Sequence, residues 1–415
     1  MNSDGQIRRP RARKSAGAHE PAPAHEPAHA HEPAHASRFP FLADALRRAA
    51  PALACFVAIR LLGLAVLAVW SNARGKDAYT LLSARWDSLW YVQIVEHGYG
   101  FEVAAPDGRT LSSKAFFPLL PWLEGGVAAV LPVDHADAGL LISAVCSVLA
   151  AAGIFFLAED VYGPRAALLT VALWASVPVA VVQSMAYSES LFTALAVWSL
   201  LLTRARHRPA AGVLALLAGL ARPVGLAVAV ALWAAVAYEC RTERGRPRAG
   251  DVVGALLAPL GFLAFFLWVG LTTGSPWGYL RVQGGWGNGF DGGVAFARFT
   301  VDLLTGPAFV AGVLLLAGVG LLCWVYARGF KDVEGRPAVP LALRVYTGSI
   351  VLLALCSSGY FGSKPRLLLP AFALLIPGAA WLAKRPAALS AALVTLLALS
   401  SALYGAFWLN GSGPP

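Results

Sequence analysis

The run Arg85-Trp86-Asp87-Ser88-Leu89-Trp90-Tyr91, continuing to Glu96-His97-Gly98-Tyr99-Gly100, is the densest group of reactive and aromatic side chains in the sequence. A carboxylate such as Asp87 can serve as a general base, taking the proton of a hydroxyl as that hydroxyl attacks. Wound as a helix, the run places Trp86, Trp90 and Ile94 on one stripe at i, i+4 and i+8, with Asp87 and Tyr91 sharing a neighbouring face. Tryptophan and tyrosine suit the headgroup level of a bilayer, so such a helix would hold a carboxylate at the mouth of a lipid-lined cavity. The same spacing fits an interfacial anchor in which Asp87 pairs with Arg85, an ion pair of the common and weak surface kind.

Other groups carry weaker signals. Glu189 lies between Ser188 and Ser190 beside the start of an apolar block, where a carboxylate gains from a helix N-terminus. Capping explains it, and so does a role in orienting substrate hydroxyls. Gly284-Gly285-Trp286-Gly287-Asn288-Gly289 reads either as a flexible turn or as a lid that stacks on a sugar. His97 and His135 stand alone, without partners at zinc spacing, so no metal is expected there and no cofactor is called for.

The elements that must position these residues are membrane helices. Of 415 residues, 58% are hydrophobic and 13% charged, against roughly 45–50% and 25% in soluble domains. The apolar residues come in blocks such as Pro51–Trp70, Gly139–Leu157, Ala166–Val182, Val252–Thr272 and Ala387–Leu409, each near the ~20 residues that cross a bilayer. The expectation is an all-α polytopic membrane protein of about eleven spans, with residues 49–410 as its membrane domain. Phe116–Pro132 is short and carries Pro118, Pro121 and Pro132, which fits an interfacial or re-entrant segment.

Arg and Lys near the span ends set the orientation. Arg8, Arg9, Arg11, Arg13, Lys14, Arg47 and Arg48 precede the first block and belong in the cytoplasm, as do Arg204–Arg208, Arg241–Arg248, Arg328–Arg336 and Lys384–Arg385. Residues 73–115 and 273–300 then form the two long external segments. Residues 1–48 form a tail whose His-Glu-Pro-Ala repeats, at His19, His25 and His31, bury too little apolar surface to fold. The net charge of +10 sits in short clusters between apolar blocks, a pattern of membrane orientation and not of nucleic-acid binding. Cys55, Cys146, Cys240, Cys323 and Cys356 lie mostly inside apolar blocks without close pairing and read as buried small hydrophobes.

Five stretches, in order, are similar to one family. Arg85-Trp86-Asp87-Ser88-Leu89-Trp90-Tyr91 through Gly98-Tyr99 resembles the RWD-x-x-x-Y...GY signature of the PIG-V type mannosyltransferases, the second mannosyltransferase of GPI-anchor assembly and its bacterial relatives. Ala115-Phe116-Phe117-Pro118-Leu119-Leu120-Pro121 is similar to the family's A-F-F-P-L-Y-P, Tyr187-Ser188-Glu189-Ser190-Leu191-Phe192 to its Y-S-E-S-L-F, and Ala221-Arg222-Pro223-Val224-Gly225 to its R-P-x-G. Lys364-Pro365-Arg366-Leu367-Leu368-Leu369-Pro370-Ala371-Phe372 is similar to P-R-x-x-L-P-A-F. Lys114 and Leu120 depart from the pattern: an acidic residue is expected near the first and tyrosine at the second.

The resemblance implies a GT-C type bundle whose first extracytoplasmic loop carries a catalytic aspartate, here Asp87. It implies a polyprenyl-phosphate mannose donor and a glycolipid or glycan acceptor, with inversion at the sugar. The departing phosphate needs cations, and arginine supplies them bidentately. Arg222 and Arg366 are the candidates, although arginines at span ends also snorkel to headgroups. Arg85, Trp86, Tyr91, Glu189 and Lys364 complete the expected donor- and substrate-binding set. The abundance of arginine over lysine, and of alanine, hints at a GC-rich bacterial owner and hence the cell membrane; a eukaryotic owner would place it in the endoplasmic reticulum. Transfer of another lipid-linked sugar is the alternative within this class, and a lipid or solute transporter the alternative outside it; a transporter would carry more ionisable residues on broken mid-membrane helices.

Overall fold

The computed structural model describes residues 39–328, 339–411 and 413. The polar repeats of the tail, and most of the Arg328–Arg336 cluster, lie outside them. The chain divides into two compact units, Met1–Ala43 and Asp44–Pro415, and the account below concerns the second. The expected boundary after residue 48 falls inside a helix, α1 (Phe39–Ala73).

After α1 come the short α2 (Ala78–Ser83) and α3 (Asp87–His97), a hairpin of β1 (Glu102–Ala104) with β2 (Thr110–Ser112), and α4 (Leu119–Val130). The segment 73–115, expected as the first external loop with a helix around Trp86–Ile94, holds two short helices and a hairpin. Asp77 caps α2, its carboxylate accepting from the backbone of Tyr79 and Thr80. Gly98 ends α3 at φ +72°, a conformation open to glycine and strained for other residues.

The bundle is built on α5 (His135–Ala175), α6 (Ser188–Arg204), α7 (Arg208–Ala221) and α8 (Leu226–Thr242). α5 bends at Gly163 and Pro164, where Gly163 takes φ +81°. It ends at Ala175, and Arg60 of α1 donates to the carbonyls of Ala175 and Ala180, so this arginine inside the first apolar block closes a helix end that would otherwise be unsatisfied in hydrocarbon. α9 (Ala249–Leu257) and α10 (Leu260–Thr272) lie against α7 through small residues. A side chain on Gly254 would meet the backbone of Arg208, and one on Gly261 that of Leu216. Backbones can approach this closely only without a Cβ between them.

The rest comprises α11 (Gly278–Gly285), α12 (Val294–Thr305), α13 (Phe309–Arg328), α14 (Leu341–Cys356), α15 (Lys364–Leu367), α16 (Ile376–Ala383) and α17 (Ala387–Leu409). A second short ribbon pairs β3 (Gly289–Phe290) with β4 (Ser357–Ser358).

The fold is thus an all-α polytopic bundle. Among the described residues six helices are long and apolar enough to cross a membrane, seven if the pair Phe361–Leu367 and Phe372–Ala383, bent by 78°, is one broken span. The larger number expected from the sequence counted apolar blocks that here form shorter helices, among them α7 and α14. All five cysteines are free, and none is buried as expected: Cys323, on the sparsely packed α13, is exposed, and Cys55, Cys146, Cys240 and Cys356 are half-buried.

Candidate functional site

Four charged side chains from four separate stretches meet at the amino-terminal end of α6. Asp87 is the first residue of α3 and Glu189 the second of α6. Arg222 follows α7 in extended conformation, because Pro223 disfavours a helical residue before it and α7 stops at Ala221. Arg366 stands on α15, which starts at Lys364-Pro365.

Arg366 links the two carboxylates: its Nη1 lies 2.9 Å from Asp87 Oδ2 and its Nε 3.2 Å from Glu189 Oε1. Arg222 Nη1 lies 2.5 Å from the same Glu189 oxygen and donates to Ser188 Oγ at 3.1 Å. Tyr91 Oη and Ser188 Oγ share a hydrogen bond of 2.9 Å. Tyr187 accepts from the Asp87 backbone N–H at 3.4 Å, and its ring lies 5.2 Å from the Arg366 guanidinium. Two negative and two positive groups make the set neutral, which lets it exist in a low-dielectric interior.

Burial separates the carboxylates. The Glu189 side chain is 1% exposed, that of Asp87 22%. Glu189 is sealed between arginines, whereas Asp87 can meet an incoming group. The arginine contacts are charge contacts more than aligned hydrogen bonds: Nε and Nη1 of Arg366 and both Glu189 oxygens lack a hydrogen-bond partner of good geometry.

Of the residues singled out from the sequence, Asp87, Tyr91, Glu189, Arg222 and Arg366 are brought together; Arg85, Trp86 and Lys364 are not. Arg85 does not pair with Asp87. Its Nη1 and Nη2 donate to the carbonyls of Leu409 at 2.9 Å and Gly411 at 3.3 Å, and its guanidinium lies 3.9 Å from the Trp86 ring. The end of α17 attracts it because terminal carbonyls lack helical partners and carry the negative end of the dipole. Trp86 precedes α3 and does not lie on its stripe. Lys364 is buried, with Nζ donating to Ala354 and Ser357 carbonyls at the end of α14.

Sequence reading passed over Tyr187 and Ser188, although both stand in the quoted Tyr-Ser-Glu stretch. It also left the glycine-rich segment free, as a turn or lid. That segment is docked: Gln283 donates to the Ala115 carbonyl at 3.0 Å and Trp286 Nε1 to that of Ser112 at 3.1 Å. Trp286 meets Trp90 edge-on at 4.8 Å, and Trp90 stacks on Phe101 and Phe116. Nearby, Asp291 accepts from the backbone N–H groups of Ala295 and Gly293, which hold its carboxyl below the usual range and fix the start of α12. Among the described residues no group of three or more His, Cys, Asp or Glu gathers to hold a metal ion.

A second charged network occupies the other end of the same helices, where Arg206 and Arg208 pair with Glu239, and Arg206 also with Glu243. It borders an open cavity of about 580 Å³ lined by Arg204, Tyr238, Glu239, Leu341 and Arg344 among others.

The profile of the dolichyl-phosphate-mannose-protein mannosyltransferase family matches residues 113–271, which include Glu189 and Arg222 and exclude Asp87 and Arg366. No curated protein matches the chain. Solved structures with a similar chain course include the oligosaccharyltransferase of Archaeoglobus fulgidus in the apo form, at 14% identity and TM-score 0.47, over 87% of this chain and 56% of that one. Another is ArnT from Cupriavidus metallidurans bound to undecaprenyl phosphate, at 14% identity and TM-score 0.47, over 85% of this chain and 74% of that one. This chain therefore spans little more than half the length of the archaeal protein. The fold defines a multi-pass membrane protein, and its central part is similar to that mannosyltransferase family.

Proposed function

We propose that this protein is a GT-C type membrane glycosyltransferase that moves mannose from a polyprenyl-phosphate carrier to a hydroxyl of a glycolipid or glycan, with inversion. The observation that carries this reading is the convergence of Asp87, Glu189, Arg222 and Arg366, in which Asp87 is the carboxylate open to a substrate. The ordered resemblance to the PIG-V type mannosyltransferases and the family match over residues 113–271 support it.

The chemistry follows from the groups present. The donor phosphate displaces Asp87 as partner of Arg366, drawing on N–H groups that have no aligned acceptor. Asp87, released, takes the proton of the acceptor hydroxyl as its oxygen bonds to the anomeric carbon. The bond from that carbon to the phosphate oxygen breaks, the electron pair stays on the phosphate, and Arg366 and Arg222 stabilise its growing charge. Glu189 holds both guanidiniums in place.

The active site is assigned to the extracytoplasmic side. α6, Ser188–Arg204, runs about 25 Å at 1.5 Å per residue, and α7, Arg208–Ala221, returns to bring Arg222 beside Glu189. The Arg204–Arg208 cluster, assigned to the cytoplasm, thus occupies the helix ends opposite Asp87 and Glu189, and by the positive-inside rule this supports an extracytoplasmic site.

Membranes containing the protein, incubated with radiolabelled polyprenyl-phosphate mannose, should yield a labelled glycolipid or glycan, and Asp87→Asn membranes should not. Labelling from a different polyprenyl-phosphate sugar but not from mannose would keep the class and change the donor. Carrier-linked sugar moved across the bilayer without covalent transfer would favour a transporter.

A further inference from the structure

We propose that Arg85 is a positioning residue for Asp87, and that it works by clamping the carboxyl-terminal end of α17. The proposal rests on the reading of Asp87 as the base and adds to it the carboxyl-terminal residues Leu409–Gly411.

The backbone at Trp86 is the starting point. Its φ of 51° and ψ of −119° match the first central position of a type II′ turn, where glycine is ordinarily found. A tryptophan persists there only if its surroundings over-determine the conformation. Three sets of contacts do so. The Arg85 guanidinium lies over the Trp86 ring at 3.9 Å. Ser88 Oγ accepts from the Arg85 N–H at 3.1 Å and donates to the Arg85 carbonyl at 2.6 Å. The far side of the guanidinium is fastened by its two bonds to the carbonyls of Leu409 and Gly411.

The anchor is itself held. Lys76 Nζ donates to the Asn410 carbonyl at 2.6 Å, and the buried Asn410 amide donates to Ser71 Oγ at 3.0 Å. Three successive carbonyls, of Leu409, Asn410 and Gly411, are thereby bound by cations from the segment that leads into α3. The clamp sets the turn at Trp86, and the turn sets where α3 starts. It delivers the Asp87 N–H to Tyr187 and its carboxylate to Arg366. Without the clamp Trp86 relaxes toward negative φ and the carboxylate swings off its line.

The test uses the full chain reconstituted in lipid and measures sugar transfer per folded molecule, donor KM and the thermal midpoint. Arg85→Ala should lower kcat on the order of 10- to 100-fold, the cost of an ångström-scale misplacement, without raising donor KM, because Glu189 still holds Arg366 and only the carboxylate that the phosphate must displace has moved. Removal of residues 409–415 should do the same, and combining the two should cost no more than the worse one, since both break one clamp. Arg85→Lys should recover part of kcat, as an ammonium reaches one carbonyl but cannot fork. Should Arg85→Ala or the truncation fail to fold, Arg85→Lys carries the test alone: reduced kcat at unchanged midpoint and unchanged donor KM supports the clamp, and wild-type kcat overturns it. Wild-type kcat in Arg85→Lys and Arg85→Ala, beside an inactive Asp87→Asn, overturns the positioning role and spares the reading of Asp87. A raised donor KM in the Arg85 variants, with full activity after truncation, overturns it in favour of direct donor binding. Full activity of Asp87→Asn removes the reading beneath both.

Discussion

Nη1 of Arg366 stands 2.9 Å from Oδ2 of Asp87, pairing the carboxylate at the start of α3 with a cation from near the other end of the chain. Their ion pair ties the group proposed to accept a proton to the group proposed to hold the departing phosphate. One arriving substrate can therefore prepare both.

Asp87→Asn should lower the chemical step by about 10²–10⁴-fold, the usual contribution of a general base, while the amount of folded protein stays near wild type. Asparagine keeps the shape and the hydrogen bonds but cannot take the proton. Transfer per folded molecule decides it: retention of more than about a tenth of wild-type turnover lies outside that range and would move attention to Glu189.

Arg222→Lys and Arg366→Lys should each lower transfer on the order of 10-fold or more, although the charge is kept, because an ammonium cannot present two parallel N–H groups to a phosphate. Arginines that merely snorkel would tolerate the exchange. Wild-type turnover in both lysine variants would assign these residues to anchoring.

Glu189→Ala removes the buried carboxylate that Arg222 and Arg366 share, and leaves Asp87 alone to balance the two arginines. Breaking such a pair typically costs about 3–5 kcal/mol, so the variant should show a clear drop in its unfolding midpoint in detergent. Glu189 is 1% exposed, and a midpoint equal to wild type would mean that the network relaxes around the loss.

Orientation is open to cysteine labelling in a chain freed of its five native cysteines. Ser112 is buried, so the reporter for the first long segment belongs at the exposed Glu102, with Thr242 as its opposite. In intact cells the cysteine at 102 should react with an impermeant reagent and the one at 242 only after permeabilisation. The reverse result would overturn the extracytoplasmic placement.

Thr80, through its side chain and its backbone N–H, and Tyr79 hold the Asp77 carboxyl below the usual range at the start of α2. A carboxyl depressed in the folded state binds fewer protons there than in the unfolded chain. Its stabilisation is therefore present above the ordinary carboxylate range and lost as pH falls through the depressed value. Asp77→Asn keeps the cap, since asparagine caps as well as aspartate, and should flatten the acid limb of the stability curve. An unchanged acid limb would show that Asp77 does not contribute to it.

The sequence by itself determined the membrane character, the helical class and most of the pieces of the candidate site. Long apolar blocks, arginines at their ends and the local motifs around Asp87, Glu189, Arg222 and Arg366 are properties of neighbouring residues, and neighbours are what a sequence displays. Only the tertiary structure decided who faces whom. Arg85 sits two residues from Asp87 yet reaches the carbonyls of Leu409 and Gly411, backbone acceptors at the end of α17, while Asp87 is paired with Arg366. Lys364 and Arg366 share a motif, but the short turn of α15 sends one to the end of α14 and the other to the carboxylates. Likewise the glycine-rich segment shows no partner in its own residues, and its docking on Ser112 and Ala115 depends on backbone carbonyls, which every residue carries and no sequence singles out.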